Sequence, residues 1–135
     1  SSYIMNRQDD CFLCTLPPER IMDECDLTYT IRDGFAVSPG HTLILTKRHA
    51  PTFFDLTLEE QAAISAAIQK AKQVLDAEFN PDGYNIGINN GEFAGQSIPH
   101  LHVHLIPRYQ GDVENPKGGV RWVVPQNADY WTKRD

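Results

Sequence analysis

Hydrophobic residues cluster or alternate in five short runs along the chain, and each run is typical of a β-strand. The runs are rich in β-branched, aliphatic and aromatic residues, and turn formers such as Asp33-Gly34 separate them. Their spacing predicts strands at residues 27–31, 35–38, 41–46, 84–88 and 100–107.

A different spacing separates the third run from the fourth. Thr57 is a favourable N-cap, and Glu60 follows it at the spacing of a capping box. Pro81 and Gly83 then predict the end of a helix. Between these signals apolar residues recur every three or four positions, which predicts one amphipathic helix with a single core-facing stripe. The stripe comprises Ile64, Ile68, Ala71, Leu75 and Phe79.

This order of elements predicts one α+β domain over residues 1–135, in which a five-stranded antiparallel sheet packs against one long helix. Residues up to about Asp26 are expected to form a short helix or loop segment, because Pro17-Pro18 interrupts regular structure. Residues 1–10 are expected to be disordered. Alternatively, Met5 is the natural start, and Ser1 to Ile4 are left from expression. Residues 110–135 are expected to form an irregular tail.

The charge balance argues against one class of partner. The chain of 135 residues carries a net charge of −6, and 41% of its residues are hydrophobic. A chain of this composition can bury a core, but its negative charge disfavours binding to the phosphates of duplex nucleic acid. We find no transmembrane span and no signal peptide, so we expect a cytoplasmic protein that does not enter a membrane. An odd count of 3 cysteines also favours a reducing compartment.

The most unusual pattern is "HLHVHL", which places a histidine at every second residue. Because side chains of a strand alternate between its faces, the three imidazoles would share one face, about 6.5–7 Å apart. The segment admits three interpretations: a solvated face, a metal site, or nucleophilic and acid–base catalysis. The spacing is wide for three ligands of one ion, and neutral imidazole is a good nucleophile near pH 7, so catalysis is favoured. The histidines are His100, His102 and His104, and the core-facing residues are Leu101, Val103 and Leu105.

These residues and their surroundings resemble the signature of the histidine-triad (HIT) family, His-x-His-x-His followed by apolar positions. "GQS" at 95–97 precedes the triad as in the Hint and Fhit branches of that family. "PGHTLIL" at 39–45 is similar to the family's Gly-His-apolar strand. The resemblance covers the chain from Cys11 to about Tyr109, and it implies a HIT-like fold and a covalent reaction on a nucleotide.

In this family the middle histidine attacks the α-phosphate, and the resemblance assigns this role to His102. A covalent nucleotidyl-histidine forms, and water then releases the mononucleotide. His104 and His41 would flank the phosphate to stabilise charge or carry a proton, while Ser97 and Gln96 would donate hydrogen bonds to the phosphate or leaving group. A histidine at position 104, where relatives of galactose-1-phosphate uridylyltransferase have glutamine, favours hydrolysis. It leaves open whether the acceptor is water or phosphate.

The resemblance also implies substrate-binding residues. Asn89 corresponds to an amide near the α-phosphate, Asp33 to a residue that binds the ribose hydroxyls, and Gly95 with Gln96 to the substrate-binding loop. Each residue also has a structural explanation, since Asp33 precedes a turn glycine and Asn89 lies in a predicted loop.

The sequence leaves the roles of two cations and two tryptophans open. Arg108 and Lys47 could supply local positive charge for a phosphate ligand, or they could be ordinary surface cations. Trp122 and Trp131 could shape a pocket, pack at a dimer interface, or anchor the core.

The N-terminal "CFLC" allows half of a zinc site, a redox pair or two inert thiols. No βαβ pattern surrounds it, which disfavours the redox pair. Bacterial relatives that resemble this chain complete a zinc site with a histidine after the "LILTKRH" strand and with the first triad histidine. Four ligands make a closed and therefore structural site. The ligands implied by the resemblance are Cys11, Cys14, His49 and His100, and no organic cofactor is implied.

We therefore expect a nucleotide hydrolase that acts on purine nucleoside phosphoramidates or dinucleoside polyphosphates and releases a nucleoside monophosphate. The resemblance further implies a homodimer. Three alternatives stay open: a phosphorylase or nucleotidyl transferase with the same covalent step, a non-catalytic nucleotide- or zinc-binding regulator, and a zinc-dependent hydrolase. Chelation would inactivate only the last of these directly.

Overall fold

The structure, a computed structural model that describes residues 7–133, contains one long helix packed on a five-stranded antiparallel sheet. The helix is α1 (Leu58–Phe79). Across the sheet the strands lie in the order β1-β2-β3-β5-β4, and every neighbouring pair is antiparallel. The predicted α+β fold class is therefore confirmed. The strands are β1 (Ile21–Glu24), β2 (Thr28–Arg32), β3 (Thr42–Thr46), β4 (Gly83–Ile88) and β5 (His102–Arg108).

The strands differ from the prediction in the N-terminal part of the chain. Residues 35–38 are not a strand but part of the loop between β2 and β3. Asp33 Oδ1 accepts a hydrogen bond from the Phe35 N–H at 2.8 Å, which turns the chain away from strand pairing. The fifth strand is instead β1, within the segment predicted to be a loop, and it pairs with β2 through a bulge between Ile21 and Asp23.

Short 3₁₀ turns occur in the loops and in both terminal segments. Turns at Phe12–Cys14 and Pro18–Arg20 precede β1, and turns at Gly119–Val123 and Pro125–Asn127 lie in the C-terminal tail. The expectations for Ser1 to Met5 fall outside the described residues. Within residues 7–133, no helix combines the length and the apolar composition that a membrane crossing needs.

Different parts of the chain cover the two faces of the sheet. On one face, the apolar stripe of α1 packs against Ile44, Val103 and Leu105. On the other face, the N-terminal segment packs its Cys11–Cys14 region against β2 and β3. β5 alternates strictly, with buried residues towards α1 and half-buried residues, including His102 and His104, on the opposite face. The fold thereby brings these two histidines beside the N-terminal segment.

The capping box predicted at the start of α1 is present. The Glu60 N–H donates to Thr57 Oγ1, and Glu60 Oε1 accepts from the Thr57 N–H, both at 3.0 Å. The Glu60 side chain also accepts hydrogen bonds from Arg48, at 2.7 Å from Nη2 and 3.0 Å from Nε. Burial acts to raise the pKa of Glu60, but the bonds to Arg48 and Thr57 outweigh burial and hold that pKa below its ordinary value.

We expect Glu60→Gln to lower the free energy of unfolding at neutral pH by about 2 kcal/mol, because it removes charge-assisted bonds from a buried site. Since the pKa of Glu60 is lower in the folded than in the unfolded protein, this stabilisation is present above about pH 4.5 and is lost as the pH falls further. Urea unfolding across this pH range measures it. Glu59→Gln, at the exposed neighbouring position, is the matched control, and equal stability of the two variants at neutral pH would contradict the assignment.

Candidate functional site

A tight turn before β3 places the side chain of His41. Gly40 adopts a φ of +86°, and a Cβ at this position would lie 3.0 Å from Leu75 Cδ2 and 3.0 Å from Phe79 Cδ2. Only glycine fits both the backbone conformation and the close approach of α1. The turn directs His41, which is only 3% exposed, against His104 of β5.

His41 and His104 form a directed hydrogen-bond relay. His41 Nδ1 accepts from the Val37 N–H at 3.1 Å, so the ring carries its proton on Nε2. That Nε2 lies 2.9 Å from His104 Nδ1 and 3.4 Å from Asp33 Oδ2. Because His104 Nδ1 then accepts, the proton of His104 is on Nε2. The relay therefore makes the remaining ring nitrogen of His104 a hydrogen-bond donor.

His102 is held in the opposite state. Its Nδ1 lies 2.8 Å from the backbone carbonyl oxygen of His100, which can only accept a hydrogen bond, so Nδ1 carries the proton. Nε2 of His102 is consequently unprotonated and has a free lone pair. The rings of His102 and His104 lie 5.3 Å apart, centroid to centroid. Two adjacent imidazoles thus offer a nucleophilic nitrogen and a donor N–H.

Burial supports neutral imidazoles in this relay. It lowers the pKa of His41, and the nearby Asp33 carboxylate only partly opposes that effect. Burial also lowers the pKa of His104, with a further contribution from His102 and His41. Both rings are therefore neutral at neutral pH, as the hydrogen-bond directions require.

A cleft of about 410 Å³ lies over His102 and His104. The structure brings six of the sequence-predicted site residues to its walls, together with apolar side chains from the N-terminal segment and the sheet. A volume of this size is within the range of about 300–1,000 Å³ that small-molecule sites occupy. The six residues are Asp33, Asn89, Gly95, Ser97, His102 and His104.

Gln96 differs from its expected role. Its Oε1 accepts from the Gly91 N–H at 2.8 Å, and its Nε2 donates to the carbonyls of Pro51 at 2.5 Å and Ile98 at 3.0 Å. The side chain does not line the cleft. Its hydrogen bonds stabilise the loop that carries Gly95 and Ser97. The Gln96 side chain thus satisfies backbone groups of Gly91, Pro51 and Ile98.

The four residues implied as zinc ligands form a second cluster beside the cleft. Their candidate ligand atoms all lie within 4.8 Å of one another. His100 Nδ1 lies 3.4 Å from both Cys11 Sγ and Cys14 Sγ, and Cys14 Sγ lies 3.3 Å from His49 Nδ1. In a tetrahedral zinc site with ordinary bond lengths, sulfur and nitrogen ligands are about 3.6 Å apart. The three measured separations are close to this value, so the cluster is compatible with a zinc ion.

A hydrogen bond orients the most buried of these candidate ligands. The His100 Nε2–H donates to the Thr46 carbonyl at 2.7 Å, which leaves Nδ1 as a lone pair directed at the two sulfurs. Burial lowers the pKa of His100 to about 4 and raises the pKa of Cys14 to about 11. Without a metal the cluster would thus hold a neutral imidazole and protonated Cys14, while a divalent cation would favour its thiolate.

A family model for the HIT domain matches residues 17–111. The chain belongs to the HIT domain family. This membership confirms the resemblance that the histidine pattern suggested.

Curated relatives within the family carry enzyme names. The asymmetrical bis(5'-nucleosyl)-tetraphosphatase of Schizosaccharomyces pombe is 41% identical over 76 residues, which are 56% of this chain and 42% of that protein. The bis(5'-adenosyl)-triphosphatase of Dictyostelium discoideum is 38% identical over 67% of this chain and 60% of its own length. AP-4-A phosphorylase of Mycobacterium tuberculosis is 39% identical over 74% of this chain and 52% of its own length. The chain spans less than two thirds of each of these relatives.

Solved HIT structures match more evenly in length. A HIT family protein from Bacillus anthracis has a TM-score of 0.70 and 38% identity, covering 77% of each chain. A zinc-bound histidine triad family protein from Mycobacterium smegmatis has a TM-score of 0.69 and 32% identity, covering 76% of this chain and 78% of that one. Both support the same fold over most of the chain.

The cation beside the cleft of this HIT domain was not predicted. Arg20 lines the cleft and lies over the Phe12 ring at 5.5 Å, while its Nη2 donates to the Arg32 carbonyl at 3.1 Å. The two predicted cations lie elsewhere and bind acids: Lys47 pairs with Glu24 at 2.6 Å, and Arg108 pairs with Asp112 at 2.7 Å. Arg20 reaches the cleft that His102 and His104 line only through tertiary packing, so no local pattern could have identified it.

The apolar wall of the cleft was also not predicted. Phe12 and Leu13 lie between the two cysteines of "CFLC" and line the cleft together with Ile31 and Leu43. The same short segment therefore supplies candidate metal ligands and part of the cleft wall. Its one signal in the sequence was the pair of apolar residues between the cysteines.

Proposed function

We propose that this HIT protein is a nucleotide hydrolase that forms a covalent nucleotidyl-histidine on His102 and releases a nucleoside monophosphate. One observation carries the proposal: at the base of one cleft, His102 has a free Nε2 lone pair and His104 has an Nε2–H. A nucleophile beside a fixed hydrogen-bond donor is what displacement at a phosphate requires.

In the first step, His102 Nε2 attacks the α-phosphorus, a P–N bond forms, and the bond to the leaving group breaks. The Nε2–H of His104 donates to the negative charge that develops on the phosphoryl oxygen or leaving atom, and His41 keeps that proton on Nε2. In the second step, a water oxygen attacks the same phosphorus, the P–N bond breaks with its electron pair returning to His102 Nε2, and the proton that the water loses goes to solvent. Two displacements with a good nucleophile replace one difficult displacement by water.

The cleft walls support assignments for the rest of the nucleotide. The apolar side includes Phe12 and Leu43 and suits a purine base. Asp33 uses Oδ1 for the Phe35 N–H, yet each carboxylate oxygen can accept two bonds, so ribose hydroxyls remain acceptable partners. Asn89 and Ser97 would contact the phosphate.

We also propose that Cys11, Cys14, His49 and His100 hold a structural zinc ion. Zinc would cross-link the N-terminal segment to His100, which lies two positions before β5, and no step of the reaction runs through it. The fit of the ligand atoms and the zinc in the related M. smegmatis structure support this assignment. Thiolate ligands must stay reduced, which agrees with the expected cytoplasmic location.

The expected homodimer stays a proposal with one supporting feature. β4 lies at the edge of the sheet, and its Ile86 is 51% exposed. An edge strand of this kind can pair with a second copy of the chain.

The relatives' names favour dinucleoside polyphosphates as substrates and also keep phosphorolysis as a second candidate. Two of the relatives described above are named for hydrolysis of bis-nucleosyl polyphosphates, and one is named an AP-4-A phosphorylase. The two reactions share the covalent step on His102 and differ in the acceptor that attacks next.

Product analysis distinguishes the two acceptors. We expect diadenosine tetraphosphate to yield AMP and ATP both with and without added inorganic phosphate, since water is the proposed acceptor. Adenosine phosphoramidate, as a second substrate, should also yield AMP. The products are separated by ion-exchange chromatography. ADP that appears only when phosphate is added would instead assign phosphorolysis, and binding of both compounds without turnover would assign a nucleotide-binding regulator.

A further inference from the structure

One charged side chain of the nucleotide cleft has no part in the reaction proposed above. Arg20 lines the cleft together with His102 and His104, and it ends the 3₁₀ turn that directly precedes β1. β1 and β4 are the two outer strands of the sheet. A contact between copies of the chain through β4 would therefore leave Arg20 open to a bound nucleotide.

Two contacts hold the guanidinium of Arg20 beside Asp33. Its Nη2 donates to the Arg32 carbonyl at 3.1 Å, and its Cζ lies 5.5 Å from the centroid of the Phe12 ring. A Cβ at Gly34 would lie 3.8 Å from the same Nη2. Asp33 lies between Arg32 and Gly34 in the chain and is the residue proposed to bind the ribose. The cation is therefore at the ribose end of the cleft.

Most of the hydrogen-bonding capacity of Arg20 is unused. A guanidinium has five N–H donors, and within residues 7–133 the side chain of Arg20 makes one hydrogen bond, to the Arg32 carbonyl. The other four donors have no acceptor among these residues. The side chain is half-buried, so water reaches it only in part. A charged donor in this state is suited to an acceptor on a bound molecule, because a bond to it is charge-assisted.

The other polar side chains of the cleft already have partners on the proposed substrate. Asp33 is assigned to the ribose, Asn89 and Ser97 are assigned to the phosphate, and the two histidines perform the reaction. Among the described lining residues, all further side chains except that of Arg20 are apolar. A base whose faces lie against this apolar wall must still satisfy its polar edge. Arg20 is the one side chain left in the lining that can hydrogen-bond to that edge.

From this arrangement, and resting on the proposed function, we propose that Arg20 makes the cleft select guanine over adenine by donating two parallel hydrogen bonds to O6 and N7 of the base. Guanine presents acceptors at both positions, whereas adenine presents the N7 acceptor and an amino donor. Because arginine can only donate, the adenine amino group would face an N–H and one of the two bonds would be lost. The preferred substrates are then guanosine phosphoramidates and guanosine-containing dinucleoside polyphosphates.

Calorimetric binding of nucleoside monophosphates tests the contact without any turnover. We expect the wild type to bind GMP about tenfold or more tighter than AMP, which is within the range that one bidentate contact to a base gives. IMP keeps O6 and N7 but lacks the 2-amino group of guanine, so it should bind like GMP. 7-Deaza-GMP lacks the N7 acceptor and should bind several-fold more weakly than GMP. Equal dissociation constants for GMP and AMP, or a preference for GMP that IMP does not share, would overturn the inference.

Two substitutions attribute the preference to Arg20. The readout is the ratio of the dissociation constants for AMP and GMP, because a general loss of positive charge weakens both nucleotides equally. Arg20→Ala should bring this ratio close to 1. Arg20→Gln should bring it to 1 or below, since a glutamine amide matches the N6 and N7 pair of adenine. A wild-type ratio in both variants would overturn the inference and would assign Arg20 to the phosphate or to the fold.

Arg121→Ala is the matched control. Arg121 also lies over an aromatic ring, with its Cζ 4.7 Å from the centroid of Tyr130, and it also donates to backbone carbonyls, those of Asn127 and Ala128. It does not line the cleft, so its replacement should leave the ratio as in wild type. The comparison of GMP, IMP and AMP on the wild type decides the inference even if the Arg20 variants do not fold.

Turnover separates failure of the inference from failure of the proposed function. With guanosine and adenosine phosphoramidate as substrates, we expect kcat/KM to be about tenfold or more higher for the guanosine compound, with similar kcat, because the base contact is the same before and during the reaction. Tighter binding of GMP and IMP than of AMP without turnover of either phosphoramidate would support the base selection and refute the hydrolase. Turnover of both compounds with equal kcat and KM would support the hydrolase and overturn the base selection.

Discussion

Replacing His102 with alanine is expected to lower kcat/KM for diadenosine tetraphosphate by about 10⁴-fold or more, which is the scale of loss when a covalent nucleophile is removed. Nε2 of His102 is the one imidazole lone pair at the base of the cleft that the described hydrogen bonds leave free, and Nε2 of His104 is protonated by the relay. His104 could not replace the missing nucleophile without losing the bond from His41. Steady-state kinetics over a range of substrate concentrations measure the loss.

Two controls show whether the loss is chemical. The variant should keep the thermal midpoint of wild type within a few degrees and should still bind AMP, because the apolar wall and Asp33 are unchanged. Added imidazole should restore part of the activity, since the alanine leaves space where a free imidazole can attack. Turnover of His102→Ala at the wild-type rate would remove this histidine from the mechanism.

The second large effect concerns stability rather than turnover. Cys14→Ser is expected to abolish stoichiometric zinc binding and to lower the free energy of unfolding by about 4 kcal/mol when free zinc is about 1,000-fold above its Kd for the wild type. For a chain of this size that loss corresponds to a drop in Tm of roughly 10–20 °C. Cys14 is central to the cluster because its Sγ approaches both His49 and His100. Elemental analysis and a thermal melt measure the two effects.

Cys25→Ser is the matched control for the zinc site. Cys25 is a free thiol that is not part of the cluster, so its replacement should change neither zinc content nor Tm appreciably. Chelation of the wild type should reproduce the Tm of Cys14→Ser while turnover at a temperature well below that Tm continues. Immediate loss of turnover in a still-folded protein would instead assign a catalytic zinc, and absence of zinc from the wild type would contradict the site.

Local sequence patterns predicted the elements whose form depends on local interactions. The capping box of Thr57 and Glu60 and the apolar stripe of α1 involve residues three or four positions apart, so the helix was predictable. The alternation in β5 was predictable for the same reason, because a period of two determines which side chains share a face.

The errors lie where distant residues or side-chain bonds decide the structure. Residues 35–38 have a strand-like composition, but the bond from the Phe35 N–H to Asp33 and the contact of the Val37 N–H with His41 hold them in a loop. β1 forms only because β2 offers an edge for pairing. The β-propensity of a short segment reflects neither of these two effects.

The candidate site shows the same division. Motif positions indicated which histidines, asparagine and serine meet, but not how the ring protons are arranged. That arrangement depends on the His100 carbonyl and the Val37 N–H, which are backbone groups with no sequence signature. Gln96 had a plausible polar role by position, and its bonds to three backbone groups became visible only in the folded loop.

The stereochemical course at phosphorus tests the central claim, the covalent intermediate on His102, most directly. Adenosine phosphoramidothioate with one defined configuration at phosphorus would be hydrolysed in oxygen-18 water, and the configuration of the product would be determined. Each in-line displacement inverts phosphorus, so attack by His102 followed by attack by water is expected to give net retention. Net inversion would mean that water displaces the leaving group in one step, and the covalent mechanism would be wrong.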